Sequence, residues 1–564
     1  MTDTPLQLAS DFATPSQEDW EAEVLKVLNR RRPEGKELSI EQAMNRLRTV
    51  TVDGLTIEPL YTRTDEPLGY PAVAPFTRGA RLRKGDVQSW EVRQLHEDPD
   101  VAFTNAQVLK DMERGAGGLH FRIDPDAIAA DDLPAMLEGF IPSMAPLSVH
   151  SVTDHVAAAT ALKNYWSSFD KATLHGNLGI DALAQAALNG TPADLGPHRE
   201  WVAEALGYGS VRALTVNVLP YDDAGASDVQ QLAYAIATGI EYLRDLEEAG
   251  FGMDVAFKQI QFKTAANADQ FSTIARLRAL RTLWSRVGEV VGVPAAQRSA
   301  LQHVVTSRRM FTRDDPYVNL LRITIAAFAA AVGGADRLTT LPHDTVHGLP
   351  TDFSRRMARN VQLLASEESN IGRVADPAGG SWYVESLTDQ MAAKAWELVQ
   401  DIESEGMVKA LASGKVADQI AATNAERGKR LASRKQPITG VSMFPQRVEP
   451  EVEVRPRPAA PVLGGLRPVR DSEVFEAMRD RAATANPEVF LACLGARRDF
   501  GARETFTTAL LNVAGIGTPT HEGGTPAEIA EAAAGRSFVV LCSSGKVYAD
   551  QAVDVAKALK DGGV

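Results

Sequence analysis

The sequence predicts an α/β chain: a (β/α)8 TIM barrel followed by a smaller doubly wound, flavodoxin-like domain. Eight short apolar runs alternate with amphipathic helical stretches between residues 88 and 345. A proline-rich stretch, 448–470, then breaks the pattern. Beyond it, apolar runs again precede helical ones. Alternating β and α elements imply parallel strands joined by right-handed crossovers, and eight is the number that closes a barrel.

Residues 1–50 read as a polar N-terminal helical arm. Asp19-Trp20 opens a helix with apolar Val24, Leu25 and Leu28 at helical spacing. That face needs a surface to pack on, either the chain's own barrel or a partner chain. The barrel is assigned to 51–384. Its strand runs are SWEVRQ (89–94), GGLHFRI (117–123), APLSVHSV (145–152), KATLHGNLGI (171–180), RALTVNV (212–218), KQIQFKTA (258–265), LQHVVTS (301–307) and RLTTLPHD (337–344). Stretches such as 229–250 and 269–292 carry the helical period between them. Residues 352–369 and 385–433 also read as helical. The segment 385–487 forms a linker that is first helical and then, with five prolines in 448–470, extended. In the last domain, 488–564, VFLACLG (489–495) and SFVVLCSSG (537–545) read as strands. ETFTTALLNVAG (504–515) and KVYADQAVDVAKALKDGG (546–563) read as helices. About three strands are fewer than a doubly wound sheet normally has, so the domain is expected to be incomplete at its C-terminus, natural or not at Val564.

Composition excludes several classes. The 564 residues are 44% hydrophobic and 23% charged, a globular mix too long for one core. The net charge of -14 argues against non-specific nucleic-acid binding, which needs phosphate neutralisation. Two cysteines, Cys493 and Cys542, sit in apolar runs and make no disulfide framework, so a reducing, cytoplasmic setting is expected. No run of about 18 apolar residues marks a membrane span. The acidic N-terminus lacks the basic and apolar regions of a secretory signal.

Several stretches carry a resemblance: PFTRG (75–79), WEVRQ (90–94), LAYAIATGIEYLR (232–244), ARLRALRTLW (275–284), TRDDPYVNLLR (312–322), LPTDFSRRMARNVQLLASEES (349–369) and DPAGGSWYVESLTD (376–389). In this order and spacing the chain resembles the adenosylcobalamin-dependent methylmalonyl-CoA mutase family. Within it, the chain is most similar to the small, non-catalytic subunit of the heterodimeric bacterial enzymes of propionate metabolism. The resemblance implies a barrel that encloses an acyl-CoA, a linker and a cobalamin-binding-type domain. It implies an isomerase that interconverts (R)-methylmalonyl-CoA and succinyl-CoA, with the radical chemistry supplied by the cofactor.

Measured against that family, this chain lacks the chemistry. Catalytic members carry Asp-x-His-x-x-Gly after the first strand of the cobalamin domain, its histidine the lower cobalt ligand. Here the loop reads Ala496-Arg497-Arg498-Asp499-Phe500-Gly501, without histidine. His521 lies past the next helix, and guanidinium stays protonated and cannot ligate. The strand-end Ser-x-Leu is only partly kept at Ser543-Ser544-Gly545. The family's carboxylate-binding arginine falls by spacing on Ala186 and a glutamine on Gly176. Its radical-shielding tyrosine falls on Gly85 and a nearby arginine on Gln88. The loop after the eighth strand reads Gly333-Gly334-Ala335-Asp336-Arg337-Leu338-Thr339-Thr340-Leu341, and a corrin-facing glutamate falls on Thr345.

Two residues stay in play. His303 stands where the family places a donor to the thioester carbonyl, among valines, and reads as either a core histidine or a vestigial catalytic residue. Arg78, with Arg81, Arg83 and Lys84, forms a basic run that reads as a solvated face, a loop anchor or a CoA-phosphate contact. The losses fall on strand ends and the cobalt loop, while the turn residues Asp376-Pro377-Ala378-Gly379-Gly380 are kept. The expectation is a non-catalytic subunit, inactive alone and binding no cofactor or metal, paired with a large catalytic subunit that holds adenosylcobalamin. Neither nucleic acid nor membrane is an expected partner. Alternatives are a self-sufficient acyl-CoA mutase of other specificity and a non-catalytic CoA-ester-binding barrel.

Overall fold

The computed structural model describes residues 12–13, 15–64, 68–82, 90–447 and 449–564. The chain forms two units, Met1–Glu66 and Pro67–Val564. The first contains helices Gln17–Asn29 and Ile40–Leu47, opened by capping boxes at Ser16 and Ser39, and the antiparallel pair Thr49–Val50 with Thr56–Ile57. The arm assigned to 1–50 is thus part of a unit that runs to Glu66.

In the second unit, eight parallel strands close into a barrel: β1 (Glu91–His96), β2 (Gly118–Arg122), β3 (Leu147–His150), β4 (His175–Ile180), β5 (Ser210–Asn217), β6 (Ile260–Ala266), β7 (Gln302–Thr306) and β8 (Arg337–Thr339). Each strand pairs with its sequence neighbours, and β8 closes onto β1. All eight apolar runs became these strands. Side-chain caps start the crossover helices: Asp100 accepts from Phe103 N, Asp154 from Ala157 N, Ser227 from Gln230 N and Asp269 from Ser272 N. Strands buried on both faces need a tight outer layer. Helix Val318–Val332 supplies one through Ala326, Ala327, Ala330 and Ala331, packed on Val92, Val304 and Leu338.

The motif helices Asp228–Glu248 and Gln270–Val290 pack on each other, and both carry Trp382–Glu403 on their outer side. Trp284 stacks on Phe257 at 4.4 Å and meets Phe262 edge-on. Gly239 leaves the room, since a Cβ there would lie 2.6 Å from the Trp284 ring. Helix Trp382–Glu403 runs through the 384/385 boundary assigned from sequence, so the helical linker begins as part of the barrel's outer layer. A second correction concerns Gly333–Leu341. This stretch is not a loop after the eighth strand: it leaves helix Val318–Val332 and contains β8 itself.

The proline-rich segment is extended and lies along the C-terminal end of the barrel. Leu349 N donates to Arg455 O (2.8 Å), Gly465 N to Leu188 O (2.9 Å) and Leu466 N to Ala187 O (2.8 Å). Arg457 donates to Glu97 (2.9 Å) and Gly348 O (3.2 Å).

The last domain has three parallel strands, β9 (Phe490–Cys493), β10 (Thr520–Glu522) and β11 (Val539–Cys542), with β9 in the middle. The order 2-1-3 is that of the flavodoxin-like doubly wound sheet. The sequence reading did not mark β10 or helix Pro526–Ala532, because Thr520-His521-Glu522 is short, polar and on the sheet edge. The first helix begins at Arg497, seven residues ahead of the expected start at 504.

Candidate functional site

Barrels of this kind work at the C-terminal ends of their strands, reached along the axis. Alternate residues of each strand face that axis. Here they include Glu91 and Arg93 on β1, His120 on β2, Ser148 and His150 on β3, Asn177 on β4, Thr215 on β5, Gln261 and Lys263 on β6, His303 on β7, and Arg337 and Thr339 on β8.

These side chains bond to one another across the interior. Lys263 Nζ lies 2.8 Å from His120 Nε2. Strands β2 and β6 are four places apart in a ring of eight, so this bond joins opposite walls. His120 Nδ1 meets Ser148 Oγ at 2.7 Å, and Arg93 NH1 donates to the same oxygen at 2.9 Å. Ser148 Oγ in turn donates to Leu119 O. This fixes the tautomer: Nδ1 of His120 carries hydrogen and Nε2 accepts from Lys263. Below, Arg93 and Arg337 both bond Glu91, and Arg337 also bonds Gln261. The His120 ring stacks on His150 (4.4 Å) and lies edge-on to His303 (5.2 Å).

Burial dominates the electrostatics. It lowers the Lys263 amine to about 7, helped by the charges of Arg308 and Arg93. Burial, then Lys263, holds His120 well below its usual range. Burial, then Arg93 and Lys263, does the same to His303. Three neutral imidazoles therefore surround one buried amine.

His303, the vestigial candidate, is fully buried in this packing. Its Nε2 is 2.8 Å from Thr339 Oγ1, and its Nδ1 has no hydrogen-bond partner among the described residues. It does not line the cavity at the barrel mouth. That cavity, about 500 Å³, lies between the strand ends and the strap 457–468.

Arg78 lies at the opposite, N-terminal end. It lines a cavity of about 650 Å³ with Arg81, Arg281 and Arg337. Its Nε donates to Asp376 at 3.0 Å and its NH1 to Gly69 O at 3.1 Å. Asp376 also receives Arg278, which bonds Glu385 too. One ion network therefore ties together PFTRG, ARLRALRTLW and DPAGGSWYVESLTD. Arg83, Lys84, Gly85 and Gln88 lie outside the described residues.

The other positions named from the resemblance are packed or bonded within this fold. Gly176 has φ +154°, and a Cβ there would lie 1.8 Å from Leu147 O, so no glutamine fits. Ala186 is buried in helix Ala182–Asn189. Thr345 is buried and donates to Pro342 O at 2.6 Å.

In the last domain the cobalt-loop positions are wound into a helix. Counting back from Gly501, Arg498 takes the histidine's place and Ala496 the aspartate's. Ala496 N donates to Asp499 (3.1 Å), Arg497 pairs with Glu522 (2.5 Å), and Phe500 fills a core with Leu491, Cys493 and Cys542. Cofactors of this fold bind at the switch between the first and third strands, here β9 and β11. His521 lies on β10, on the far side of β9, and its ring stacks toward Phe490. Ser543 Oγ donates to Leu494 O at 2.7 Å and Ser544 caps the next helix. The switch point offers a corrin two guanidinium groups and a carboxylate already used as a cap, a set that does not fit a cobalt ligand.

Sequence reading missed Lys263, His120 and Arg93. The signal was present: QIQFK and LHFR place polar residues at alternate positions of otherwise apolar strands. In a barrel that pattern marks the inner face.

A family profile described as Methylmalonyl-CoA mutase matches residues 50–158 and 147–486. The chain is 51% identical to the methylmalonyl-CoA mutase small subunit of Propionibacterium freudenreichii subsp. shermanii, over 100% of this chain and 90% of that one. It is 44% identical to the small subunit of Streptomyces virginiae, over 100% and 93%. To the methylmalonyl-CoA mutase of Escherichia coli K12 it is 32% identical, over 78% and 65%. With barrel, motifs and full-length likeness in agreement, the chain belongs to the methylmalonyl-CoA mutase family.

Proposed function

We propose that this chain is the non-catalytic subunit of a heterodimeric methylmalonyl-CoA mutase, and that a large partner subunit binds adenosylcobalamin and carries out the isomerisation. The observation that supports this most directly is the Lys263–His120 bond. An acyl-CoA enclosed by the barrel needs the axis, and a 2.8 Å contact between opposite strands leaves no room for a thioester chain there. The wound cobalt loop supports the same reading, as do relatives that carry the name small subunit. In this reading Arg78 anchors the Asp376 turn instead of a CoA phosphate, and His303 is a core residue. The buried free thiols Cys493 and Cys542, side by side on β9 and β11, support a reducing cytoplasmic setting.

What the subunit supplies is a rigid fold that holds its partner closed around a reaction that must exclude water. Co-expression with a large-subunit homologue tests the pairing. The two chains should co-elute, and the pair should convert methylmalonyl-CoA while this chain alone does not. Separate elution, or turnover by this chain alone, overturns the proposal.

A further inference from the structure

The cavity at the barrel mouth has a construction that the subunit role does not explain. Its walls are apolar: Leu95, Val305 and Leu341 come from the barrel and Pro461, Leu463 and Leu466 from the strap. Its volume of about 500 Å³ is in the range of small-molecule sites. At its floor lies Lys263, 3% exposed, its amine bonded among the described residues only to a neutral imidazole.

Lys263 forms no ion pair among the described residues. Of the other cations that line this mouth, Arg467 is exposed, whereas Arg122 and Arg457 each have a carboxylate. Arg122 pairs with Asp124 at 2.8 Å and Asp126 at 2.6 Å, and Arg457 pairs with Glu97 at 2.9 Å. Arg308, half exposed on the rim, reaches Glu97 only at 3.4 Å. Two acids also line the cavity. Asp126 is committed to Arg122, and burial beside Asp222 raises Asp223 to about 7. Asp223 and Asp181 act on the Lys263 amine only from beyond ion-pair distance; a buried amine so weakly compensated is costly to charge, and an anion seated directly against it in the cavity would relieve that cost.

We infer that the barrel mouth is a binding site for a small aliphatic carboxylate, its carboxylate against Lys263 and Arg308 and its tail under the 457–468 strap. The bond between Lys263 and His120 closes the axis below, so the occupant is a free acid and not a thioester threaded through the barrel. The inference does not depend on pairing with a large subunit.

Titration calorimetry of the full-length chain with hexanoate tests it, with hexanol and hexanoyl-CoA as comparison ligands. Expected are saturable binding of hexanoate, at least roughly tenfold weaker binding of hexanol, and at least roughly tenfold loss in Lys263→Met. Arg308→Gln, at a half-exposed position that the core does not need, should also weaken hexanoate and serves if Lys263→Met fails to fold. No saturable heat up to about 10 mM, equal affinity in both variants, or tighter binding of the CoA ester than of the acid would each overturn the inference.

Discussion

Lys263 Nζ lies 2.8 Å from His120 Nε2, a bond between opposite walls of the barrel. The contact does two things at once. It spans the barrel interior between β2 and β6, and it leaves an amine buried against an imidazole that burial keeps neutral.

The amine makes stability depend on pH. Burial lowers Lys263 to about 7, against about 10.5 unfolded. Between these values the unfolded chain holds more protons, so the penalty is fully present below about pH 7 and fades as pH rises. Asp181 and Asp223, both raised to about 7, act at lower pH, where their contribution falls from pH 4 to 7 and then levels off. Urea midpoints at about pH 7.5 and 9.5 should therefore rise in the wild type relative to Lys263→Met, by at most about 1.4 kcal/mol per pH unit. Parallel lines for the two proteins would remove the uncompensated amine from the picture.

Asp376 is the node between Arg78 and Arg278. Asp376→Asn leaves the fully buried Arg278 with Glu385 alone. A loss of about 3 kcal/mol in denaturant unfolding is expected, since breaking a buried pair strands its partner. A change below about 1 kcal/mol would make the network ornamental.

Gly239→Ala sets two effects against each other. Alanine gains about 1 kcal/mol as a helix former, but its Cβ would meet Trp284 at 2.6 Å. Trp284 is held by Phe257 and Phe262 and cannot step aside, so overpacking of about 1–3 kcal/mol wins and the variant is less stable. A stabilised variant would show that the helix shifts freely.

His303→Gln in the assembled enzyme separates a core residue from a catalytic one. With a role confined to the Thr339 bond, kcat and KM stay within roughly twofold of wild type. A large fall in kcat alone would place His303 in the reaction.

The fold was legible where periodicity was strong. Helices that follow β1, β3, β4, β6 and β8 open on side-chain caps, and tertiary packing had little to override. β10 escaped because an edge strand of Thr520-His521-Glu522 has no apolar pattern. Gly333–Leu341 was misplaced because a three-residue β8 is shorter than the turn chemistry around it. That Arg498 stands where the resemblance places a histidine is a matter of residue type and needs no coordinates. The contact inside the barrel does. That Lys263 and His120 meet depends on β2 and β6 facing each other, a relation that only the closed barrel creates.

The most direct measurement is the corrin content of the assembled pair. After incubation with adenosylcobalamin and desalting, the visible spectrum of this chain alone should show no retained corrin, and the heterodimer should hold a single corrin. Retained corrin colour on this chain alone, or two corrins per heterodimer, would contradict the assignment of turnover to the partner.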